Sequence, residues 1–134
     1  MDQYNPKVIA VSKTFKEQDI LPLLDYGHCD FGENKVQEAL LKWPNLKEKY
    51  KNVKLHMLGK LQTNKAKFAV EIFDYIHSLD SIKLANKLAN EIQKKNKKIK
   101  MFIQINLGGE KQKSGIEPND LETFYTSCLS LKLD

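Results

Sequence analysis

Apolar residues recur along the chain with two alternating periods. Short apolar runs of strand character over residues 7–13, 29–33, 53–59, 75–79 and 99–107 are separated by stretches in which apolar positions return every three or four residues. Most of the runs lack the strict polar alternation of a half-solvated sheet, which predicts strands covered on both faces. The intervening segments predict helices. The first spans 17–25 and stops at Gly27. The second opens at Asn34 and runs through Val36, Ala39, Leu40 and Trp43, with Pro44 kinking or breaking it before Tyr50. The third covers 63–73. The fourth is capped by Asp80 or Ser81 and carries Ile82, Leu84, Ala85, Leu88, Ala89 and Ile92 on one face. The fifth starts at Pro118 and Asp120, and residues 131–134 read as a sixth strand that has barely begun.

Strands that alternate with crossover helices form a parallel sheet with right-handed connections, either an open doubly wound sheet or a (β/α)8 barrel. The fifth strand favours the barrel: Lys100, Phe102, Gln104 and Asn106 share one face, which turns polar toward its C-terminal end, while Ile99, Met101, Ile103 and Ile105 share the other. Polar groups stand at the same end of the other strands, at Lys13, Asn34, His56, and Ser78 or Asp80, where barrel active sites are built. No glycine fingerprint of a dinucleotide site or a P-loop is present. The expected fold is therefore α/β, a partial (β/α)8 TIM barrel of about five complete βα units, where a closed barrel takes about 250 residues. Residues 1–134 are read as the N-terminal part of a single domain lacking its C-terminal strands.

The composition, 41% apolar and 29% charged, fits one soluble domain. No apolar run approaches a bilayer span and residues 1–6 have no apolar stretch of signal type, so the expected location is cytoplasmic, away from membranes. Cys29 and Cys128 lack metal-ligand spacing and are expected as buried free thiols. The net charge of +5 does not change the picture. Every basic residue is lysine, without the planar guanidinium that reads bases and clamps phosphates, and the densest basic run, residues 94–98, falls where a helix should end and cations favour its dipole. Nucleic acid is not the expected partner; a basic interaction module would declare itself by a steep salt dependence.

Three clusters could carry chemistry. Lys13 ends an apolar strand between Ser12 and Thr14, where low polarity favours a neutral, nucleophilic amine; read alone, it is more simply one lysine among 22 snorkelling from a strand end. His56 precedes the turn Gly59-Lys60-Leu61-Gln62-Thr63-Asn64-Lys65, which faces anions or carbonyls at a helix start unless Thr63 or Asn64 is only a cap and His56 only a core histidine. The third is the polar loop from Asn106 to Gly115, whose paired Gly108 and Gly109 permit an anion nest or an ordinary connection.

Together the motifs Val11-Ser12-Lys13-Thr14, Phe31-Gly32-Glu33-Asn34 with Val36-Gln37-Glu38, His56 with Gly59, Leu61, Gln62, Asn64 and Lys65, and Ile105-Asn106 with Glu110, Lys113 and Gly115 resemble the pyridoxal phosphate homeostasis proteins in order and spacing. The resemblance implies a fold-type III barrel like the N-terminal domain of alanine racemase. It also implies pyridoxal 5′-phosphate held as an aldimine on Lys13, with Asn34 and His56 near the cofactor ring. Such proteins are regarded as carriers or regulators in vitamin B6 homeostasis without established turnover; the alternative is an amino-acid racemase, whose opposite-face base comes from a second domain. Phe15 stands where the family often has a second lysine, and Leu55 where an aromatic residue commonly precedes the histidine. The family's phosphate loops and the arginine facing the pyridine nitrogen lie in later strands. Cofactor binding by this chain is accordingly expected to be weak or absent, B6-dependent apo-enzymes are the implied partners, and this chain is expected to self-associate where full-length members are monomers.

Overall fold

The computed structural model describes residues 5–108 and 114–134. Five strands, β1 (Ala10–Val11), β2 (Asp30–Glu33), β3 (Lys54–Met57), β4 (Tyr75–Leu79) and β5 (Lys100–Ile103), form one parallel sheet in the order 1-2-3-4-5. Helices α1 (Glu17–Tyr26), α2 (Val36–Lys49), α3 (Ala66–Ile72) and α4 (Ile82–Lys95) fill the four connections, α5 (Leu121–Ser130) follows β5, and α2 packs on α3, α3 on α4 and α4 on α5. A doubly wound sheet reverses its strand order at a switch point; this sheet never does. It is the arc of five strands from an eight-stranded barrel.

The core lies between this arc and its helices. Phe31, Leu55, Met57 and Ile76 from the sheet meet Trp43, Val70 and Leu88 from the helices, all buried. The Phe31 and Trp43 rings sit 5.1 Å apart. Beneath the sheet the Lys47 ammonium reaches the Ile72 carbonyl at 2.9 Å and Asp74 at 2.7 Å, while the same Asp74 oxygen accepts the Leu55 N–H at 2.8 Å. One carboxylate thereby joins α2 to the start of β3 and β4 in a charge-assisted network.

Several boundaries differ from the sequence pattern. Helix α2 runs through Pro44 to Lys49 without a break. The missing N–H falls on an exposed position, and the burial of Trp43 and Leu46 with the Lys47 anchor holds the turns beyond it. β1 is two residues long because only Ala10 and Val11 find ladder partners on β2. β5 ends at Ile103 because the chain beyond it turns to another partner: the Asn106 N–H donates to the Ile116 carbonyl, and the Ile116 N–H to that of Gln104. Ser81, not Asp80, caps α4 by accepting the Leu84 N–H at 3.1 Å. The lysine run does fall at the end of α4, where Asn96 adopts the left-handed cap. Residues 131–134 do not form a strand: 131–132 turn and 133–134 are irregular, although the Asp134 carbonyl accepts the Met101 N–H on the outer edge of β5. Cys128 is buried, which raises its thiol pKa, whereas Cys29 is only partly covered. Gly109, Glu110, Lys111, Gln112 and Lys113 of the polar loop lie outside the described residues. Among the described residues no helix is long and apolar enough to cross a membrane.

Candidate functional site

Parallel pairing aligns Val11 with Gly32, Gly32 with His56 and His56 with Tyr75, one row across four strands. Lys13 and Asn34 each stand two residues beyond that row, at the carboxyl ends of adjacent strands, and His56 lies one layer deeper. The sheet therefore brings Lys13 and Asn34 to one level and separates His56 from them by a strand period.

Lys13 is exposed, which differs from the low-polarity setting expected of it, but the backbone around it is firmly held. The Ser12 N–H donates to the Gly32 carbonyl at 2.9 Å, and the Phe15 N–H closes a turn back to the Ser12 carbonyl at 3.2 Å. Inside that turn Thr14 has φ +67°, a left-handed conformation rare for a β-branched residue. Its N–H donates to Glu38 Oε2 at 2.7 Å. From α2 the buried Lys42 ammonium reaches the Ser12 carbonyl at 2.7 Å, the Phe15 carbonyl at 2.9 Å, Glu38 at 3.0 Å and Glu33 at 2.8 Å. Glu33, fully buried, also accepts from the Ser12 hydroxyl and from the Trp43 indole N–H at 2.9 Å. Partial burial pushes the Glu38 carboxyl up, but the Lys42 and Thr14 donors together bring it below its ordinary value.

His56 is buried in the middle of a chain of rings. It stacks on Tyr75 at 4.3 Å, His77 lies 5.1 Å away, and His77 stacks on Phe102 at 4.6 Å. Nε2 of His56 sits 2.9 Å from Asp30 Oδ1, and Nδ1 sits 2.9 Å from His77 Nε2. An ionised Asp30 only accepts, so the Nε2–H of His56 donates to it; with both rings neutral, His77 Nε2–H then donates to Nδ1. Both nitrogens of His56 are engaged within the protein. Burial, then the neighbouring His56, lowers the pKa of His77.

Asn34 borders a cleft of about 250 Å³ with Gln37, Met57, Lys60, Gln62 and Lys65. The turn after β3 approaches it through Gly59, where a Cβ would lie 2.6 Å from the Asn34 carbonyl, so only glycine fits. Thr63 and Asn64 do not cap: they begin a 3₁₀ turn, Thr63–Lys65, that has no side-chain cap bond. A second opening of about 460 Å³ brings Lys60 and Gln62 together with Asp80, Ser114 and Gly115. Burial raises the Asp80 pKa, partly opposed by Lys60. The second and third clusters of the sequence thus meet along one rim.

Three residues of this network escaped the sequence pattern. Lys42 falls within the buried stripe of Val36, Ala39, Trp43 and Leu46, and a charged residue in that stripe was the available signal. His77 and Asp30 were legible only as strand residues; of the polar residues expected on β4, Ser78 is buried with a hydroxyl lacking a partner among the described residues.

Residues 1–133 match the family model described as alanine racemase, N-terminal domain. The chain is 39% identical over 115 residues to the pyridoxal phosphate homeostasis protein of Pasteurella multocida (strain Pm70), covering 86% of this chain and 49% of that protein. It is 39% identical over 124 residues to the Haemophilus influenzae protein of the same name, covering 92% and 52%. Among solved structures it resembles PipY of Synechococcus elongatus PCC7942 without PLP, with a TM-score of 0.87 and 39% identity over 96% of this chain and 60% of that one. The PLP-bound form of PipY gives 0.84 at 37% identity, over the same shares of the two chains. Alanine racemase of Clostridium difficile 630, at 14% identity and a TM-score of 0.72 over all of this chain and 34% of that one, shares the fold. The chain spans about half the length of the curated relatives it matches.

Proposed function

The chain belongs to the family of the alanine racemase N-terminal domain, and from that premise we propose that it is the part of a B6-homeostasis protein that receives pyridoxal 5′-phosphate, with Lys13 as the point of attachment. The observation that carries this reading is the turn of residues 12–15. A lysine is displayed at the carboxyl end of β1 on a backbone fixed by buried charges, level with Asn34. When bound, the cofactor supplies an aldehyde that condenses with a primary amine and releases water. The donor set fits that end of the molecule: Lys13 offers the amine, and Asn34 offers an amide beside it on the rim. His56 acts from one layer below, where its two bonded nitrogens orient the ring stack rather than reach outward.

The name of the curated relatives and the PLP-bound PipY structure support this reading. The phosphate contacts of the family come from later strands, so the cofactor is held weakly by this chain, as an attachment without the charge-assisted bonds that retain it. The complete protein holds the cofactor in reserve in the cytoplasm for B6-dependent apo-enzymes rather than turning over amino acids. Borohydride reduction in the presence of pyridoxal phosphate, followed by peptide mass analysis, tests the assignment. The complete protein should carry its main pyridoxyl label on Lys13 and lose it in Lys13→Ala, and a main label on any other lysine refutes the site.

A further inference from the structure

We propose that Lys42 and Glu38 are positioning residues for Lys13, holding residues 12–15 in the one turn that presents its amine; the inference rests on the reading of Lys13 above. The Lys42 ammonium, with its side chain 7% exposed, has four oxygens within 3.0 Å. An ammonium has three protons, so this one is saturated. Two of the four oxygens are the Ser12 and Phe15 carbonyls, which flank the Lys13-Thr14 pair. Glu38 takes the N–H of Thr14 between them. The Ser12 N–H is tied to β2, and the Ser12 and Phe15 carbonyls and the Thr14 N–H are tied to α2.

The strain at Thr14 gives this clamp a purpose. The other non-glycine residues with positive φ among those described, Asn96 and Lys132, follow helix ends, where the left-handed conformation is routine. Thr14 follows a strand and is β-branched. Such a conformation persists only where its surroundings over-determine it, and strained backbone of this kind gathers at functional sites. Fold stability alone would be served equally well by apolar residues at positions 33 and 42 together, because a buried ion pair replaced by well-packed hydrocarbon is commonly neutral or better. A charged pair there makes sense if the shape of the turn is what matters.

The chain is compared with Lys42→Met, Glu38→Gln and the double variant Lys42→Met/Thr14→Asn. One readout is the hydrogen-exchange rate of the Thr14 amide without any added compound, with the amides of residues 84–88 in α4 as the control for global folding. The other is the Lys13 share of label trapped by borohydride with pyridoxal phosphate. Lys42→Met, which strips the Ser12 and Phe15 carbonyls of their charged donor, should speed Thr14 exchange about tenfold, and Glu38→Gln, whose amide oxygen still accepts the Thr14 N–H but without charge, severalfold; each should lower the Lys13 share in parallel, while α4 keeps its protection. Asparagine adopts the left-handed conformation without a β-branched clash, so the double variant should regain much of both. Unchanged exchange and labelling in the single variants overturn the proposal, and so does a double variant that regains neither, because that outcome assigns Lys42 to general stability. If Lys42→Met also loses α4 protection, Glu38→Gln decides, since that side chain is 30% exposed and its loss leaves the core filled. The attachment site itself is decided by labelling of the complete protein as above; where this chain gives Lys13 no preferred label, Thr14 exchange alone decides the clamp.

Discussion

Trp43→Phe probes the base of the clamp. The indole is fully buried, and its N–H donates at 2.9 Å to Glu33, whose carboxylate is itself fully buried. Phenylalanine keeps an aromatic ring against Phe31 but removes that donor. Losing a hydrogen bond to a buried charged group costs about 1.5–3 kcal/mol. The space left by the smaller ring adds about 1 kcal/mol. A loss of roughly 2.5–4 kcal/mol is a large fraction of the ~5–15 kcal/mol by which a domain is stable. With a urea slope near ~2 kcal/mol per M, the unfolding midpoint should fall by more than about 1 M. Trp43 is the single tryptophan, so the variant has no indole fluorescence and far-UV circular dichroism follows the transition. In a Glu33→Gln background the same change should cost about 1 kcal/mol less, because the acceptor no longer carries charge. A midpoint shift below about 0.3 M, or an equal shift in both backgrounds, would show that the indole–carboxylate bond does not support the site.

The His77 imidazole is held below its ordinary value of 6.5 by burial and then by His56, so between the two values the unfolded chain binds more protons than the folded one. Stability therefore rises with pH through that window and is lost as pH falls below 6.5; urea midpoints at about pH 5.5 and about pH 7.5 should differ more for the parent than for His77→Phe, and equal differences refute the assignment. Val11, Phe15, Phe102 and Ile105 are 48%, 55%, 52% and 37% exposed, and among the described residues the outer edge of β1 has no strand beside it, which invites a second copy. Light scattering coupled to size exclusion should find a dimer or larger at all but the lowest concentrations, and a monomer with a cooperative melt throughout a dilution series would be incompatible with that expectation.

What the sequence made legible was local. The apolar stripe and Ser81 of α4, the strand of residues 75–79, and the ends at Lys13 and Asn34 follow from periodicity and turn chemistry that act within a few residues. The departures come from contacts between distant segments. Pro44 reads as a helix breaker until Lys47 is seen to be anchored on Asp74, 27 residues away. β5 looks long until Ile116 takes over its pairing. Lys42 resembles any other lysine until its ammonium is found among carbonyls 30 and 27 residues earlier in the chain. Periodicity places Tyr75 and His77 on one face of a strand, but the stack they form with His56 and Phe102 requires the parallel register of three strands.

The unbroken strand order has a kinetic consequence. Ala10 pairs with Phe31, Phe31 with Leu55, His56 with Tyr75 and Ile76 with Met101, so each new ladder closes a loop of about two dozen residues or fewer and never a loop the length of the chain. Loop closure enters in small instalments, which keeps contact order low for a parallel sheet and its folding correspondingly fast. During synthesis, at about 5–20 residues per second, each emerging strand finds the preceding strand of the sheet already made. The sheet can therefore assemble from the N-terminus as a zipper with one moving end, and that end is the outer edge of β5, where the carbonyl of Asp134 has already taken the N–H of Met101.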